Sequence, residues 1–330
     1  MAETLFLTSE ETRGLATMRE YVDAVRSGYR EVGTGAAAKP RQSLPSGDPP
    51  GFLTSYLSIL PETGAMGGYT YAAGFGAEDA HFFLPLFDAE SGAPIALIDG
   101  AAMNPYKTGA AGGVAADALA RPDSAVAAII GSGAQAKGQL RALAAVRDLE
   151  TVNVFSPTKE HRESFAATMN DELDAAVGAV SSSDAAVEGA DIVVTATNAT
   201  EPVFDGDVLE PGTHVTAMGQ YDIGKRELDT ETVANAKYVP DLRERAFSDS
   251  GEFLQAREEG AIDDDHVHAE LGEVVAGEAS GRENREEITV FDSGGTGVET
   301  VAAAYMLYEK ASDEGLGRTI PFAPASEALR

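Results

Sequence analysis

The chain has 330 residues, neither cysteine nor tryptophan, and a formal net charge of −30 from 54 acidic and 24 basic residues. The missing cysteines exclude a disulfide framework, a zinc–thiolate centre and a thiol nucleophile, and the acidity leaves no basic stripe for nucleic-acid phosphates or an anionic membrane. Apolar residues make up 43% of the chain, which supports a sizeable core and excludes wholesale disorder.

In chain order, the segment from Leu5 to Gly28 opens with a short apolar run, followed by Thr8 and Glu11 at capping-box spacing. Leu15, Met18, Val22 and Val25 then recur with a helical period. The stretch from Gly33 to Gly51, rich in glycine and proline around Arg41, reads as loop. Short strands are expected at 52–54, 69–71, 82–87 and 95–98, the last two joined by a turn at Asp88-Ala89-Glu90-Ser91-Gly92. From Tyr106 to Leu119 the chain turns Ala- and Gly-rich and helical, and Arg121-Pro122-Asp123 ends that helix. Strands at 125–130 and 151–155 enclose a helix at 135–146, and a further helix follows at 159–169. Later strands are expected at 191–197, 214–218, 238–240 and 288–291, and a last helix at 299–310.

Strands alternating with helices indicate an α/β fold with a Rossmann-type, doubly wound parallel sheet. We expect that domain over 121–298. An α+β substrate and dimerisation domain over 1–120 is completed by the C-terminal helix at 299–330.

The strongest chemical signal is the strand Ala125–Ile130 running into Gly131-Ser132-Gly133-Ala134-Gln135-Ala136 and a helix. Gly131 permits the tight turn, Gly133 lets the backbone approach a pyrophosphate, and the free N–H groups of the helix start face it. An NAD site places an acidic residue at the end of the second strand to bind the ribose hydroxyls. Here that position is Ser156, followed by Thr158, Lys159 and Arg162, a small basic cluster suited to a 2′-phosphate. NADP is therefore favoured over NAD.

The run Gly131-Ser132-Gly133-Ala134-Gln135-Ala136 resembles the phosphate turn of the ornithine cyclodeaminase/mu-crystallin family. The blocks Asp88–Gly100, Lys107–Ala111, Asp191–Thr197, Gly224–Asp229, Glu270–Glu273 and Thr289–Ser293 agree in order. The resemblance implies a homodimer with a split first domain, a nicotinamide cofactor, and a small imino or amino acid as substrate. It assigns the carboxylate-binding arginine to Arg41, whose guanidinium fork suits a bidentate carboxylate. It puts Tyr69 where the family has lysine, and Lys107-Thr108 where it has Arg-Thr. It also implies that Thr197 lies near the nicotinamide, that Lys225 contacts the cofactor, and that Ser293 closes the pocket.

The family's aspartate falls on Tyr221, with Asp222 one place late, and Asp292 stands where lysine is common. Lys107, Tyr69 and Asp222 are thus the candidate acid–base groups, with Arg41, Tyr69 and Lys107 binding substrate. Loss of the aspartate and lysine together argues against ornithine cyclodeamination and for hydride transfer to or from Cα. Ornithine cyclodeaminase and a non-catalytic NADPH-binding protein stay open as alternatives. The five histidines read as structural rather than metal-binding.

Two expectations concern the setting. The first residues, MAETLFLTSEE, lack the basic region and apolar run of a signal peptide, so a cytoplasmic place is expected. Only 7 of the basic residues are lysine, and high acidity with scarce lysine resembles a protein adapted to high salt, where charge repulsion is screened.

Overall fold

The computed structural model describes residues 2–219 and 221–329. It divides into two compact units, one of Met1–Lys107 with Thr296–Arg330 and one of Thr108–Gly295.

The first unit starts with β1 (Ala2–Leu7), the short helix α1 (Ser9–Thr12) and α2 (Met18–Gly33). Both helices begin with a full capping box, Thr8 with Glu11 and Thr17 with Glu20, each satisfying orphan amides reciprocally. Tyr21, Val22, Val25 and Tyr29 form the buried stripe of α2. The strands β2 (Ala37–Ala38), β3 (Gln42–Gly47), β4 (Pro50–Leu60), β5 (Ala65–Gly74), β6 (Phe83–Asp88) and β7 (Pro94–Asp99) follow.

The loop expected at 33–51 is therefore a correction: β3 pairs antiparallel with β4 from Gln42↔Ser55 to Gly47↔Pro50. Glycine and proline counts cannot see a partner strand, and the partner supplies the hydrogen bonds. The turn expected at Asp88–Gly92 joins β6 to β7, with the Gly92 amide donating to the Asp88 carbonyl at 2.9 Å. β4 alternates with period two: Thr54, Tyr56, Ser58 and Leu60 are buried, while Leu53, Leu57 and Ile59 face outward.

Helix α3 (Asn104–Leu119) carries the chain across the division, which falls between Lys107 and Thr108. The second unit holds β8 (Val126–Ile130), α4 (Ala134–Val146), β9 (Thr151–Phe155), α5 (Lys159–Glu172), β10 (Ala176–Ala179), α6 (Ser183–Val187), β11 (Ile192–Thr195) and β12 (His214–Ala217). It continues with α7 (Thr230–Asn235), β13 (Lys237–Pro240), α8 (Arg243–Asp249), α9 (Gly251–Glu258), α10 (Leu271–Ala276) and β14 (Thr289–Asp292). The sheet runs β10-β9-β8-β11-β12-β14-β13 and every pair is parallel, which bears out the doubly wound expectation.

Both faces of this sheet are covered, and its strands feed apolar side chains into two cores. Ile130, Val193, Val215 and Val290 enter one core with Tyr238 and Phe253. Ile129, Val152 and Val194 enter the other with Leu140 and Phe165. His214 is fully buried between the Thr289 and Thr216 hydroxyls, at 2.9 and 3.1 Å, and burial pulls its pKa down to about 3, so the ring is neutral and structural. The N-terminal half of this unit is tied by close backbone approach. A Cβ at Gly109 of α3 would lie 2.3 Å from the Gly138 carbonyl of α4, and one at Gly112 would lie 1.9 Å from the Gln139 amide oxygen. The Gln139 side chain also donates to the Thr108 carbonyl at 2.9 Å.

The chain then returns to the first unit as α11 (Gly297–Glu314) and β15 (Arg318–Phe322). β15 completes a sheet ordered β15-β1-β7-β6-β5-β4-β2, with β3 on β4. Two strands, β10 and β15, lie in stretches with weak period-two patterning and have no counterpart in the sequence reading. Among the described residues no helix is long and apolar enough to cross a membrane.

Candidate active site

In the second unit the phosphate turn has the geometry its residues demand. Gly131 sits at φ +121°, and a Cβ there would come 2.4 Å from the Ala196 carbonyl, so only glycine fits. Gly133 is the N-cap of α4, makes no side-chain cap, and faces open space. The first amides of α4, from Ala134 and Gln135 onward, therefore have no side-chain cap, the condition for seating an anion. The Gln135 side-chain oxygen is buried without a hydrogen-bond partner among the described residues.

Ser132 donates to Ser156 at 3.0 Å, linking the turn to the end of β9. Beyond them lies a cleft of about 570 Å³ lined by Gly131, Phe155, Ser156, Pro157, Thr197 and Glu201 among others. Arg162 lies over the Phe155 ring and donates to the Ser156 carbonyl at 2.9 Å. Thr158 is the N-cap of α5 without a side-chain cap bond, and Lys159 is two-thirds exposed, 3.6 Å from Glu163. An uncapped helix start, a glycine at Gly131 where a Cβ would collide, the open space at Gly133 and the cleft beside them fit a dinucleotide.

The strand ends on the other side of the turn are held by buried carboxylates that the sequence reading did not single out. Glu227 accepts from the Thr197 amide at 2.7 Å, the Gly219 amide at 2.8 Å and the Thr195 hydroxyl at 2.9 Å. Burial raises its pKa, opposed by those donors. Glu252 receives the Glu227 amide at 3.0 Å, and burial together with the nearby Asp292 pushes it up to about 8. Its other oxygen is buried without a partner among the described residues, the state of a carboxylic acid rather than a carboxylate.

Arg245 is fully buried and meets Asp241 at 2.5 Å, Asp292 at 2.8 Å and Asp249 at 3.2 Å. Asp292 also accepts from Ser250 at 2.6 Å and from the Tyr238 hydroxyl. Asp241 accepts from the Ser293 hydroxyl at 2.9 Å and the Gly294 amide at 3.0 Å. Ser293 is thus fixed at the end of β14 through its bond to Asp241. Asp222 and Lys225 lie together in an exposed loop, 3.8 Å apart, where Asp222 accepts the Gly224 amide at 3.0 Å.

The first unit brings Arg41, Tyr56, Tyr69 and Lys107 together. Lys107 is only 2% exposed, and its Nζ lies 5.4 Å from the ring centroids of both Tyr56 and Tyr69. Its ionic partner is Glu299 at 3.1 Å, which the sequence reading took only as the start of a helix. The Arg41 guanidinium lies 5.4 Å from the same Tyr56 ring, so two cations from distant parts of the chain share one aromatic side chain. The rings of Phe52, Tyr71 and Phe82 extend the aromatic cluster.

Tyr69 lies deepest in this cluster. It is fully buried, its hydroxyl donates to the Gly100 carbonyl at 2.8 Å, and burial holds its pKa well above the usual value. The face of its ring is turned towards the Lys107 ammonium. Among the described residues no group of three or more His, Asp or Glu is placed to hold a metal ion.

The ornithine cyclodeaminase/mu-crystallin family matches residues 2–315. A Δ1-pyrroline-2-carboxylate reductase of Bacillus cereus is 34% identical over 325 residues, covering 96% of this chain and 100% of that protein. The solved Δ1-pyrroline-2-carboxylate reductase of Thermococcus litoralis, in complex with NADH and L-proline, superposes with a TM-score of 0.90 at 36% identity, covering 96% of this chain and all of that one. A solved archaeal alanine dehydrogenase dimer with bound NAD gives a TM-score of 0.90 at 35% identity over 97% of this chain and all of that one. With the fold, the glycine turn and these likenesses in agreement along nearly its whole length, the chain belongs to the ornithine cyclodeaminase/mu-crystallin family.

Proposed function

We propose that the substrate is a compact cyclic imino acid of the Δ1-pyrroline-2-carboxylate type, reduced to the corresponding cyclic amino acid. The coarser activity is that of an NAD(P)-dependent oxidoreductase acting at the Cα of a small imino or amino acid. The observation that carries the finer reading is the pairing of Arg41 and Lys107 at the Tyr56 ring. Two cations beside an aromatic wall suit a carboxylate carried on a small apolar ring, and the Glu299 carboxylate is engaged by Lys107 rather than offered to a distal ammonium.

In this reading the bound nicotinamide supplies the hydride. The Arg41 fork holds the substrate carboxylate and fixes Cα, which supplies orientation. Lys107 Nζ is the proton source for the imine nitrogen, so that the C=N bond gains one hydride at carbon and one proton at nitrogen. The amides of Gly133, Ala134 and Gln135 would hold the pyrophosphate, with Gly131 and Ser132 shaping the turn and Thr108 beneath it. Thr197 and Ser293 would border the nicotinamide. Ser156, Thr158, Lys159 and Arg162 support a preference for NADP, because no acidic side chain stands at the end of β9 to repel a 2′-phosphate.

The test is cofactor absorbance with NADPH or NADH and a panel of cyclic imino acids, and of 2-keto acids with ammonia. Faster oxidation with a cyclic imine, and with NADPH, is expected. No oxidation with any member overturns the reading.

Two further parts of the proposal concern the setting. Leu44 and Leu53 face each other across β3 and β4, and with Leu57, Ile59 and Phe83 they leave large apolar side chains exposed on the first unit. This supports a homodimer through that face, and Leu57→Glu is expected to yield monomers in light scattering. The charge of −30 supports work in a concentrated-salt cytoplasm, so activity and Tm are expected to rise with KCl.

A further inference from the structure

We propose that Glu299 is a positioning residue for the reaction, holding the Lys107 ammonium at the substrate; this rests on the reading of Lys107 given above. The carboxylate is the third residue of α11 and does two jobs at once. One oxygen accepts both the Lys107 ammonium at 3.1 Å and the Thr296 amide at 2.5 Å. The amide bond is the one that completes the capping box of the helix, and the other oxygen accepts the Thr296 hydroxyl at 2.5 Å. The cap therefore fixes the direction of the carboxylate, and the carboxylate fixes the ammonium.

Among the described residues Glu299 is the acceptor that faces Nζ. The faces of Tyr56 and Tyr69 also lie beside Nζ, and they attract a cation but do not direct its protons. An ammonium beside the start of α11 also meets the positive end of the helix dipole, which Glu299 offsets. Both partners are almost completely buried, so water cannot substitute for either.

The two jobs can be separated. Glu299→Gln keeps an acceptor for the Thr296 amide but removes the charge that faces Lys107. Thr296→Ala removes only the hydroxyl bonds and leaves the backbone amide on the oxygen that Lys107 uses. If Glu299 positions Lys107, Glu299→Gln lowers kcat on the order of 10²-fold with a smaller change in KM, Glu299→Asp recovers part of the loss, and the loss disappears in a Lys107→Met background. Thr296→Ala lowers Tm and leaves kcat within about two-fold.

The proposal is overturned if Glu299→Gln lowers Tm as Thr296→Ala does with kcat unchanged, or if its loss of kcat persists in the Lys107→Met background. Should Glu299→Gln not fold, Glu299→Asp is compared with Thr296→Ala by the same readouts. A wild-type protein that turns over no imine sinks the proposed function instead. Calorimetric binding of L-proline then decides: weakening of about tenfold or more in Glu299→Gln but not in Thr296→Ala supports the positioning role, and equal affinities overturn it.

Discussion

Lys107 and Arg245 are both cations with almost no exposure, 2% and 1%, yet the protein surrounds them in opposite ways. Arg245 is enclosed by three aspartates and donates also to the Asp292 carbonyl at 2.9 Å, so all three of its nitrogens are engaged. Lys107 has one carboxylate and two aromatic faces. A guanidinium with each nitrogen engaged is scaffold, tying the ends of β13 and β14 to α8. An ammonium with one directed partner keeps donor capacity for something that arrives. Burial alone does not separate the two roles; the number of fixed acceptors does.

The largest effect expected from breaking this contrast is at Arg245. Arg245→Met removes the guanidinium that the buried Asp241 and Asp292 share, and a loss of about 3–5 kcal/mol or outright failure to fold is expected in denaturant titration. Lys107→Met strands a single carboxylate that retains its Thr296 donors, so the stability loss is smaller, about 2 kcal/mol. Its kcat/KM for the cyclic imine falls on the order of 10²-fold or more. A variant of Lys107 that loses stability as Arg245→Met does while keeping its kcat/KM would erase the distinction.

Next comes Glu252, the acid that shares the Arg245 cluster. Its folded pKa, raised from 4.5 to about 8 by burial, means that the folded state holds a proton the unfolded chain has released. The stability it contributes is complete below about pH 4.5 and is lost as pH rises through about 8, amounting to a few kcal/mol. Glu252→Gln, which can still accept the Glu227 amide, is expected to flatten that fall. His214 acts with the opposite sign: its folded pKa is lowered from 6.5 to about 3, so its contribution is present above about pH 6.5 and is lost as pH falls towards 3. A Glu252→Gln protein whose stability still falls steeply between pH 5 and 8 would show that another group holds the proton. The smallest effect is expected at the exposed Arg285–Asp123 pair, where Asp123→Asn should leave Tm unchanged within error.

How much of this was legible in the sequence follows from the range of each interaction. The Thr8–Glu11 cap, the strand at 151–155 and the glycine turn depend on neighbours a few residues away, and they stand where they were expected. The helix at 299–310 extends to Gly297–Glu314, because its capping box starts at Thr296. The β3–β4 hairpin was hidden by glycines and prolines that its cross-strand hydrogen bonds override. Lys107 and Arg41 were visible as candidates through resemblance. Glu299 was not, because its partner lies 192 residues away. Glu227 lay inside the matching block Gly224–Asp229 and Glu252 in a stretch given no role, and nothing local distinguishes a buried carboxylate from an exposed one.

The close approach of α3 to α4 bears on how this protein tolerates change. Gly109 and Gly112 touch the Gly138 carbonyl and the Gln139 side chain of the helix whose first turn forms the phosphate turn. A methyl group at either would push α4 along or away, and the displacement would be felt at Gly133 without any contact to a ligand. In a survey of random variants these two positions would score as intolerant as Gly131. Their intolerance would report the spacing of two helices rather than any chemistry, and a functional map drawn from substitution scores alone would place the active site one helix too deep.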